Sequence, residues 1–517
     1  MGRSSHASSQ GRSSHASSQE RPSPASLPAS SRLLAHAVAA CTCGAAFVAW
    51  AVADHLATGH EQVQRLEWPG GSAEHEIAIA AAGRKPVIFT SSPVNAWTAM
   101  LLWTPEALRM RLKTIPPVDE GANSSIWWSD HKRQMGIVLG LQARERHQRL
   151  NLHPSEFFTA RLGATTYRHG SKRRRRTYRQ FHGRLADHTD LAALSADAHP
   201  RAFLFLDEQS SSEDDVTLWA SEPGTASHTH YDAWPNAFTQ VHGQKRFLLW
   251  APEAWPVLRL HPHAHPAHRA SQLDYSHDVG GLGGCTPRSW IVRLQRLGER
   301  LWRGAGETNA EACAVPLMAE LHPGDLLFLP AFWSHHVTSL TFSTALSALS
   351  RAEEGGRFER ACQLGLPASI LDQAATATAD RERAAAAQRF LASLLLALMP
   401  PAEAASYVHQ AIVTTRYAPL DSQALRCDVV FGGCGLSRAS ITDVASASAA
   451  EEVDVARRVA GILRPSAAAA QPLSGAAGAP LDGVVHIVLQ DYIEHVASFA
   501  VGMPSLCGFL TECFAFD

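Results

Sequence analysis

Between residues 200 and 350 the chain is cut into short runs, FLFL, VTLWA, AFTQV, RFLLW, LLFLP and STALSAL, by turn residues such as EPG, HGQ and LHPGD. Runs of this kind, apolar or alternating with period two and bounded by turn signals, read as strands. Many short strands at close spacing predict an antiparallel sandwich or jelly roll. After Ser350 the texture changes. DRERAAAAQRFLASLLLALM and VVHIVLQDYIEHVASFAV have helical period and composition, so a helical region over 351–517 is expected. RPSAAAAQPLSGAAGAPLDG between them reads as a flexible linker near 464–482. With 517 residues, 45% of them hydrophobic, the chain can bury a sizeable core and hold more than one domain.

Within the strand-rich stretch, SHTHYDAWPN puts His228, His230 and Asp232 at every second position, so all three would point the same way on a regular strand. A strand rises about 3.3 Å per residue, which separates positions i and i+2 by ~6.7 Å and i and i+4 by ~13 Å. Donors on one small metal ion sit roughly 3 Å apart, given bonds near 2.1 Å. Side chains at i and i+2 converge by tilting, whereas His228 and Asp232 do not. Asp232 therefore pairs with His230, and a third ligand must come from another strand. Trp333-Ser334-His335-His336, read as the end of the strand LLFLPAF, offers it. Two histidines and a carboxylate on one face of an octahedron leave three positions open. That is the donor set of non-haem Fe(II) oxygenases, with room for a co-substrate and O2. HxD alone occurs often by chance; HxD on a strand followed by PGD, a strand and HH is far more specific. The extra His228 is read as a histidine behind the pair or at the surface.

A co-substrate with a carboxylate tail needs a buried cation. Lys245, in GQKRFLLW, opens an apolar run fifteen residues after His230. A lysine at the inner end of such a strand is a costly buried charge unless an anion meets it. The alternative is that Lys245 and Arg246 flank a hairpin turn. His261, His263, His265 and His268, with prolines between them, read as a loop rather than as a second metal site.

The remaining features bear on location and partners. Residues 2–10 and 11–19 are the same nine residues, GRSSHASSQ, and the Ser-, Pro- and Ala-rich stretch 1–32 is expected to be disordered. Residues 33–53 run 21 positions without a charge, about the length of a membrane-spanning helix. Arg3, Arg12, Arg21 and Arg32 precede this segment; Asp54, Glu61 and Glu67 follow, opposed by Arg65 alone. The positive-inside rule then predicts a single-pass membrane anchor with the catalytic domain in a lumen. A cleaved signal or transit segment and a buried soluble helix are the other readings. The sequon at Asn123 is compatible with a lumen. KRRRR, residues 172–176, reads as a solvated loop, or as a nuclear signal or acidic-partner patch, so nuclear and cytoplasmic locations stay as alternatives. A formal charge of -2 and a pI near 7 argue against nucleic acid as a partner. The nine cysteines are scattered, odd in number and without a CxxC pair, so neither a zinc knuckle nor a disulfide framework is expected.

Residues from about 60 to 350 resemble the JmjC-domain, cupin-like 2-oxoglutarate oxygenases, and among them the protein hydroxylases related to the asparaginyl hydroxylase that acts on hypoxia-inducible factor. The resemblance rests on GTASHTHYDAWPNAFTQVHGQKRFLLWAP, HPAHRASQLD and LHPGDLLFLPAFWSHHVTSL, with RKPVIFT and WTPEALRMRL upstream similar to the usual opening of the domain. It implies a mainly-β fold, a double-stranded β-helix (jelly-roll or cupin) core with flanking α-helices and a C-terminal helical region. It implies His230, Asp232 and His335 as iron ligands, with His336 a neighbour. Lys245 would meet the far carboxylate of 2-oxoglutarate, Asn236 and Ser227 would line its pocket, and Tyr178 would contact it. Ser227 replaces the more usual threonine and keeps the hydroxyl. Arg269 matches an arginine near the target residue, yet the glutamine that follows it in the asparaginyl hydroxylase is Ala270 here. STALSALS stands where relatives carry an asparagine-containing strand.

The activity implied is an Fe(II)- and 2-oxoglutarate-dependent dioxygenase that uses O2 to hydroxylate a protein or peptide side chain, releasing CO2 and succinate. Methyl-lysine demethylation, RNA-base hydroxylation and a non-catalytic cupin-fold binding module are the alternatives. In relatives the C-terminal helices pair two subunits, so a homodimer through residues 484–514 is implied. The alternative is that those helices pack on their own barrel.

Overall fold

Alternating apolar and small polar residues, closed at each end by a turn, make strands, and the chain follows that rule from Val216 onward. The computed structural model describes residues 62–68, 83–121, 125–126, 147–159, 165–166, 175–199, 216–273, 275, 316–371, 377–417, 439–464 and 481–516. Eight strands precede the jelly roll or start it: β1 (Gln64–Glu67), β2 (Val87–Thr90), β3 (Val118–Gly121), β4 (Ser125–Ile126), β5 (His147–Leu150), β6 (Thr165–Thr166), β7 (Arg175–Arg176) and β8 (Tyr178–Arg184). The next four are β9 (Val216–Ser221), β10 (Ala226–Tyr231), β11 (Asn236–His242) and β12 (Lys245–Trp250). After them come β13 (Leu317–Leu321), β14 (Leu326–Leu329), β15 (Ser334–Ser339) and β16 (Ser343–Leu349).

The larger sheet runs β1-β2-β14-β11-β16-β9-β8-β3-β5 and the smaller β13-β12-β15-β10-β4. From β9 to β12, and again from β13 to β16, the chain steps between the two sheets. That alternation is the double-stranded β-helix expected from the sequence. Inward-facing Phe238, Phe247, Leu249, Leu327 and Val337 fill the space between the sheets. The outer face of the larger sheet packs on Trp103, Leu108, Phe157 and Phe158. Gly243 closes the β11–β12 hairpin at φ 71°, where a Cβ would fall 1.9 Å from the Phe342 carbonyl oxygen. Only glycine fits there, and the turn delivers Lys245 as the first residue of β12.

Two local expectations are corrected. His335 and His336 do not end the strand LLFLPAF: β14 stops at Leu329, a turn follows, and both histidines belong to the separate strand β15. Nor do His228, His230 and Asp232 share one face of a regular strand. Ser227 and His230 pair with Val337 and His335, so β10 carries one more residue than β15 between those pairs. This β-bulge breaks the alternation. It turns His228 to the Ser271 carbonyl oxygen, 2.7 Å from its Nε2.

After residue 350 the chain is helical as expected, with helices Ala377–Leu398, Ala450–Leu463 and Gly483–Val501. They share one apolar core with Tyr231, Ala233, Trp250 and Phe332 of the barrel. Gly483–Val501 buries fourteen of its nineteen residues within its own chain, so it is a central core helix. A Cβ on Gly483 would fall 2.4 Å from the Pro252–Glu253 peptide, which fixes how closely the helix approaches the barrel. Cys507 and Cys513, in and just after the helix Leu506–Glu512, are both disulfide-bonded, against the expectation from cysteine spacing. Among the described residues no single helix is long and apolar enough to cross a membrane. The FLFL run, residues 1–61, Asn123, residues 172–174 of KRRRR and the linker over 465–480 lie outside the described residues.

Candidate metal centre

Antiparallel pairing of β10 with β15 sets His230 directly opposite His335, their ring centroids 4.3 Å apart. Asp232 follows β10, and its carbonyl accepts a hydrogen bond from the Phe332 amide at 2.7 Å. This ties the carboxylate-bearing turn to the turn before β15. His335 Nε2 lies 3.8 Å from Asp232 Oδ2. One ligand atom from each of His230, Asp232 and His335 lies within 4.8 Å of the other two.

The backbone fixes both imidazoles in the state a metal requires. His230 Nδ1 is 2.6 Å from the His228 carbonyl oxygen, and His335 Nδ1 is 3.0 Å from that of Trp333. A carbonyl only accepts, so each Nδ1 carries a proton, and Nε2 is the atom each ring turns toward a metal. Such backbone anchoring is how metal-ligating histidines are oriented. Burial, and then the neighbouring His230, push the His335 imidazole down to about 4, with Asp232 pulling the other way. The ring is therefore neutral near pH 7. A divalent ion with nitrogen and oxygen preference fits this donor set. His336 points to the other face of β15, where its Nδ1 is 3.3 Å from Thr229 Oγ1.

The lining deeper in the barrel is polar on both sheets. β12 and β15 pair Leu249 with His335 and Lys245 with Ser339, so Lys245 shares the inner face with His335 four residues along, about 13 Å. Its Nζ donates to Ser339 Oγ at 3.0 Å and to Ser221 Oγ at 3.3 Å, and among the described residues no carboxylate meets it. Burial alone pushes this lysine down to about 7. An ammonium held by two neutral hydroxyls is what an anion site looks like before the anion binds.

Asn236 opens β11 on the same inner face, and its Oδ1 accepts from Ser347 Oγ at 3.0 Å. Ser347, on β16, thus shares that wall with Asn236. Ser227 is half-buried on β10, opposite Val337. Tyr178 begins β8; Gln180, two residues on, pairs with Ser221. Period two therefore places Tyr178 on the barrel side of β8, toward the Lys245 end. Sequence reasoning missed Ser221, Ser339 and Trp219. Ser339 was legible as His335 plus four; nothing in the sequence marked the other two. Trp219 Nε1 finds no acceptor among the described residues.

Arg269 lies elsewhere. The loop 259–271 runs along β10 beyond its pairing with β4, with Tyr231 N donating to Arg269 O at 3.2 Å and Ser271 N to Thr229 O at 2.9 Å. Arg269 has φ 72° and Phe332 φ 64°, a left-handed conformation uncommon outside glycine. Both line a cavity of about 190 Å³ beside Asp232, between the barrel and the helix Gly483–Val501. Strain of this kind collects at functional sites.

Comparison with known proteins agrees with this architecture. A model of the cupin-like domain matches residues 73–349. Over 128 residues the chain is 30% identical to tRNA wybutosine-synthesizing protein 4 of Gibberella zeae, covering 25% of this chain and 10% of that protein. Over 131 residues it is 28% identical to tRNA wybutosine-synthesizing protein 5 of Danio rerio, 25% of this chain and 31% of that protein. Over 124 residues it is 27% identical to the human bifunctional peptidase and (3S)-lysyl hydroxylase JMJD7, 24% of this chain and 37% of that protein. The match thus spans between 10% and 37% of the length of these relatives. The helices after residue 350 lie beyond the matched family domain. The chain belongs to the family of cupin-like domains of JmjC type.

Proposed function

We propose that this protein is an Fe(II)- and 2-oxoglutarate-dependent oxygenase that hydroxylates a protein side chain. The observation that carries the reading is Lys245, a buried ammonium without an acidic partner among the described residues, on the same inner face as His335. His230, Asp232 and His335 would hold the iron. Lys245, helped by Ser221 and Ser339, would bind the far carboxylate of the co-substrate and so orient its other end toward the barrel mouth. With iron and 2-oxoglutarate bound, the centre supplies oxidative decarboxylation coupled to insertion of one oxygen atom of O2 into a C–H bond. The protein's own part is positional. The carbonyls of His228 and Trp333 hold the two Nδ1 protons, the apolar cluster around Phe247 and Leu249 keeps water out, and the cavity at Arg269 and Phe332 receives the side chain to be modified.

The two relatives named for tRNA modification favour a second reading, hydroxylation of an RNA base by the same centre. Full-chain protein with Fe(II), ascorbate and labelled 2-oxoglutarate is expected to form succinate, and His230→Ala to form none. A peptide library and bulk tRNA, each read for a 16 Da mass gain, then separate the two substrates. Absence of succinate together with no measurable 2-oxoglutarate binding would sink the oxygenase reading and favour a binding module.

We also infer that the catalytic domain works in an oxidising compartment, as residues 33–53 predict. The bonded Cys507 and Cys513 support it, because disulfides persist where thiols are not kept reduced. Alkylation of the protein in intact cells, before and after reductant, tests this. Labelling of both residues without reductant would refute it.

A further inference from the structure

The cavity beside the barrel centre has a second cluster on its far wall. One ligand atom from each of His263, His268 and Asp491 lies within 4.8 Å of the others. The histidines come from the loop along β10, and the aspartate from the helix Gly483–Val501, more than two hundred residues on. His268 Nε2 is 2.9 Å and His263 Nδ1 3.7 Å from the same oxygen, Asp491 Oδ2. We propose that these three side chains form a second metal site, for a divalent first-row transition ion such as zinc, separate from the centre at the barrel mouth.

The donor chemistry supports this. Two imidazoles and one carboxylate suit zinc and its neighbours, and catalytic zinc sites use three protein ligands with a fourth position open. With bonds near 2.1 Å, donors on one ion sit roughly 3 Å apart; His268 and Asp491 are already at that spacing, and His263 stands somewhat farther from the carboxylate. The carboxylate is already oriented for the task. Asp491 Oδ1 accepts from Arg416 Nη1 at 2.7 Å, which leaves Oδ2 facing the two rings. Ligating carboxylates are characteristically held in this way by a partner behind them.

Charge points the same way. Arg416 serves two buried carboxylates at once, since Nη1 also donates to Glu494 Oε1 at 2.7 Å. Glu494 Oε2 in turn accepts from the His263 amide at 2.8 Å and from the Tyr417 hydroxyl at 3.0 Å. One guanidinium against two carboxylates leaves a negative charge for a cation to match. His263, His268 and Asp491 all line the cavity that Arg269 and Phe332 also line. An open coordination position on this ion would therefore face that cavity.

The test is a metal count on full-chain protein. Wild type loaded with Co(II) is expected to retain two equivalents after gel filtration, and the double variant His230→Ala, His335→Ala one, with a visible d–d band displaced by zinc. Adding His268→Gln should abolish the remaining equivalent. His263→Gln, at the cavity edge where 16% of the side chain is exposed, is the variant least able to disturb packing. In the double-variant background it should weaken Co(II) binding at least about tenfold, with the melting transition unchanged. One equivalent in wild type and none in the folded double variant overturns the proposal and leaves a hydrogen-bonded ion network only. So does Co(II) binding that ignores both histidine substitutions. Neither result depends on 2-oxoglutarate turnover, so failure of the oxygenase reading and failure of this one are told apart.

Discussion

The barrel mouth and the junction between loop and helix each gather two histidines and an aspartate, by opposite means. At the mouth, strand register places the histidines: β10 against β15 sets His230 opposite His335, and two residues of chain bring Asp232. At the junction, tertiary docking does it, when Gly483–Val501 settles against the loop that carries His263 and His268. The charge environments differ as much. The Asp232 side chain is 29% exposed, and among the described residues its one neighbour at ion-pair distance is His335, whose ring is neutral near pH 7. Asp491 is buried, and although burial opposes its ionisation, His268 and Arg416 outweigh that and hold its carboxyl well below the usual range. The mouth offers its donors to a cation from outside the chain. At the junction Arg416 bridges two carboxylates, so that cluster is also part of what keeps the fold together.

Substitutions should sharpen that contrast. Asp232→Ala is expected to lower turnover at least about a hundredfold, since losing a ligand costs more than losing a ligand's hydrogen-bond partner, roughly 10–100-fold. Its melting temperature should stay close to wild type, because the side chain is partly exposed and lies outside a strand. A large drop in melting temperature would mean the mouth is structural too. Arg416→Met should do the reverse: it strands two buried carboxylates, and breaking a buried pair costs about 3–5 kcal/mol. Urea unfolding reads this directly, and a loss under about 1 kcal/mol would show that the network is not a structural clasp.

Lys245→Met comes next. Charge-assisted hydrogen bonds contribute about 1.5–3 kcal/mol, so the KM for 2-oxoglutarate should rise roughly tenfold to a hundredfold. Stability should hold or improve, because a desolvated charge is removed. Unfolding that accompanies the loss of binding would point to a structural lysine.

The pH dependence is the subtlest of the set. With its value near 7 in the folded chain against an ordinary 10.5, Lys245 must take up a proton to bind the anion above neutrality. Affinity for 2-oxoglutarate should fall about tenfold per pH unit above 7. In the same window, between about 7 and 10.5, the unfolded chain holds the extra proton, so this lysine makes stability rise with pH. Lys245→Met should flatten both slopes, and slopes that persist in the variant would assign them to another group.

How far the sequence carried follows the same division. Turn residues and alternation located β9 to β12, β14 and β16, because hairpin chemistry is local. Once the strands were placed, HxD and the later HH had few ways to meet. The β10 bulge escaped, since an extra residue in one strand is visible only against its partner. The separation of β15 from LLFLPAF escaped because a turn at Pro330–Phe332, with Phe332 left-handed, carries no glycine to announce it. Asp491 is a polar residue inside an apolar helix, and nothing in its own segment marks it. Its meaning lies in Arg416, His263 and His268, and no periodicity connects residues brought together only when separate elements pack. The same holds for Cys507 and Cys513, whose spacing gave no sign of a bond.

The bulge makes β10 a strand with a reading frame. Ser227 and His230 are three residues apart where their partners Val337 and His335 are two apart. Deleting Thr229 would restore a one-to-one ladder and a more regular sheet. It would also shift by one the carbonyl that now holds the His230 ring, and release His228 from Ser271. A shortened β10 would then be the better strand and the worse centre. Length changes in the turn after Asp232 carry no such phase, so the same deletion has different meanings a few residues apart.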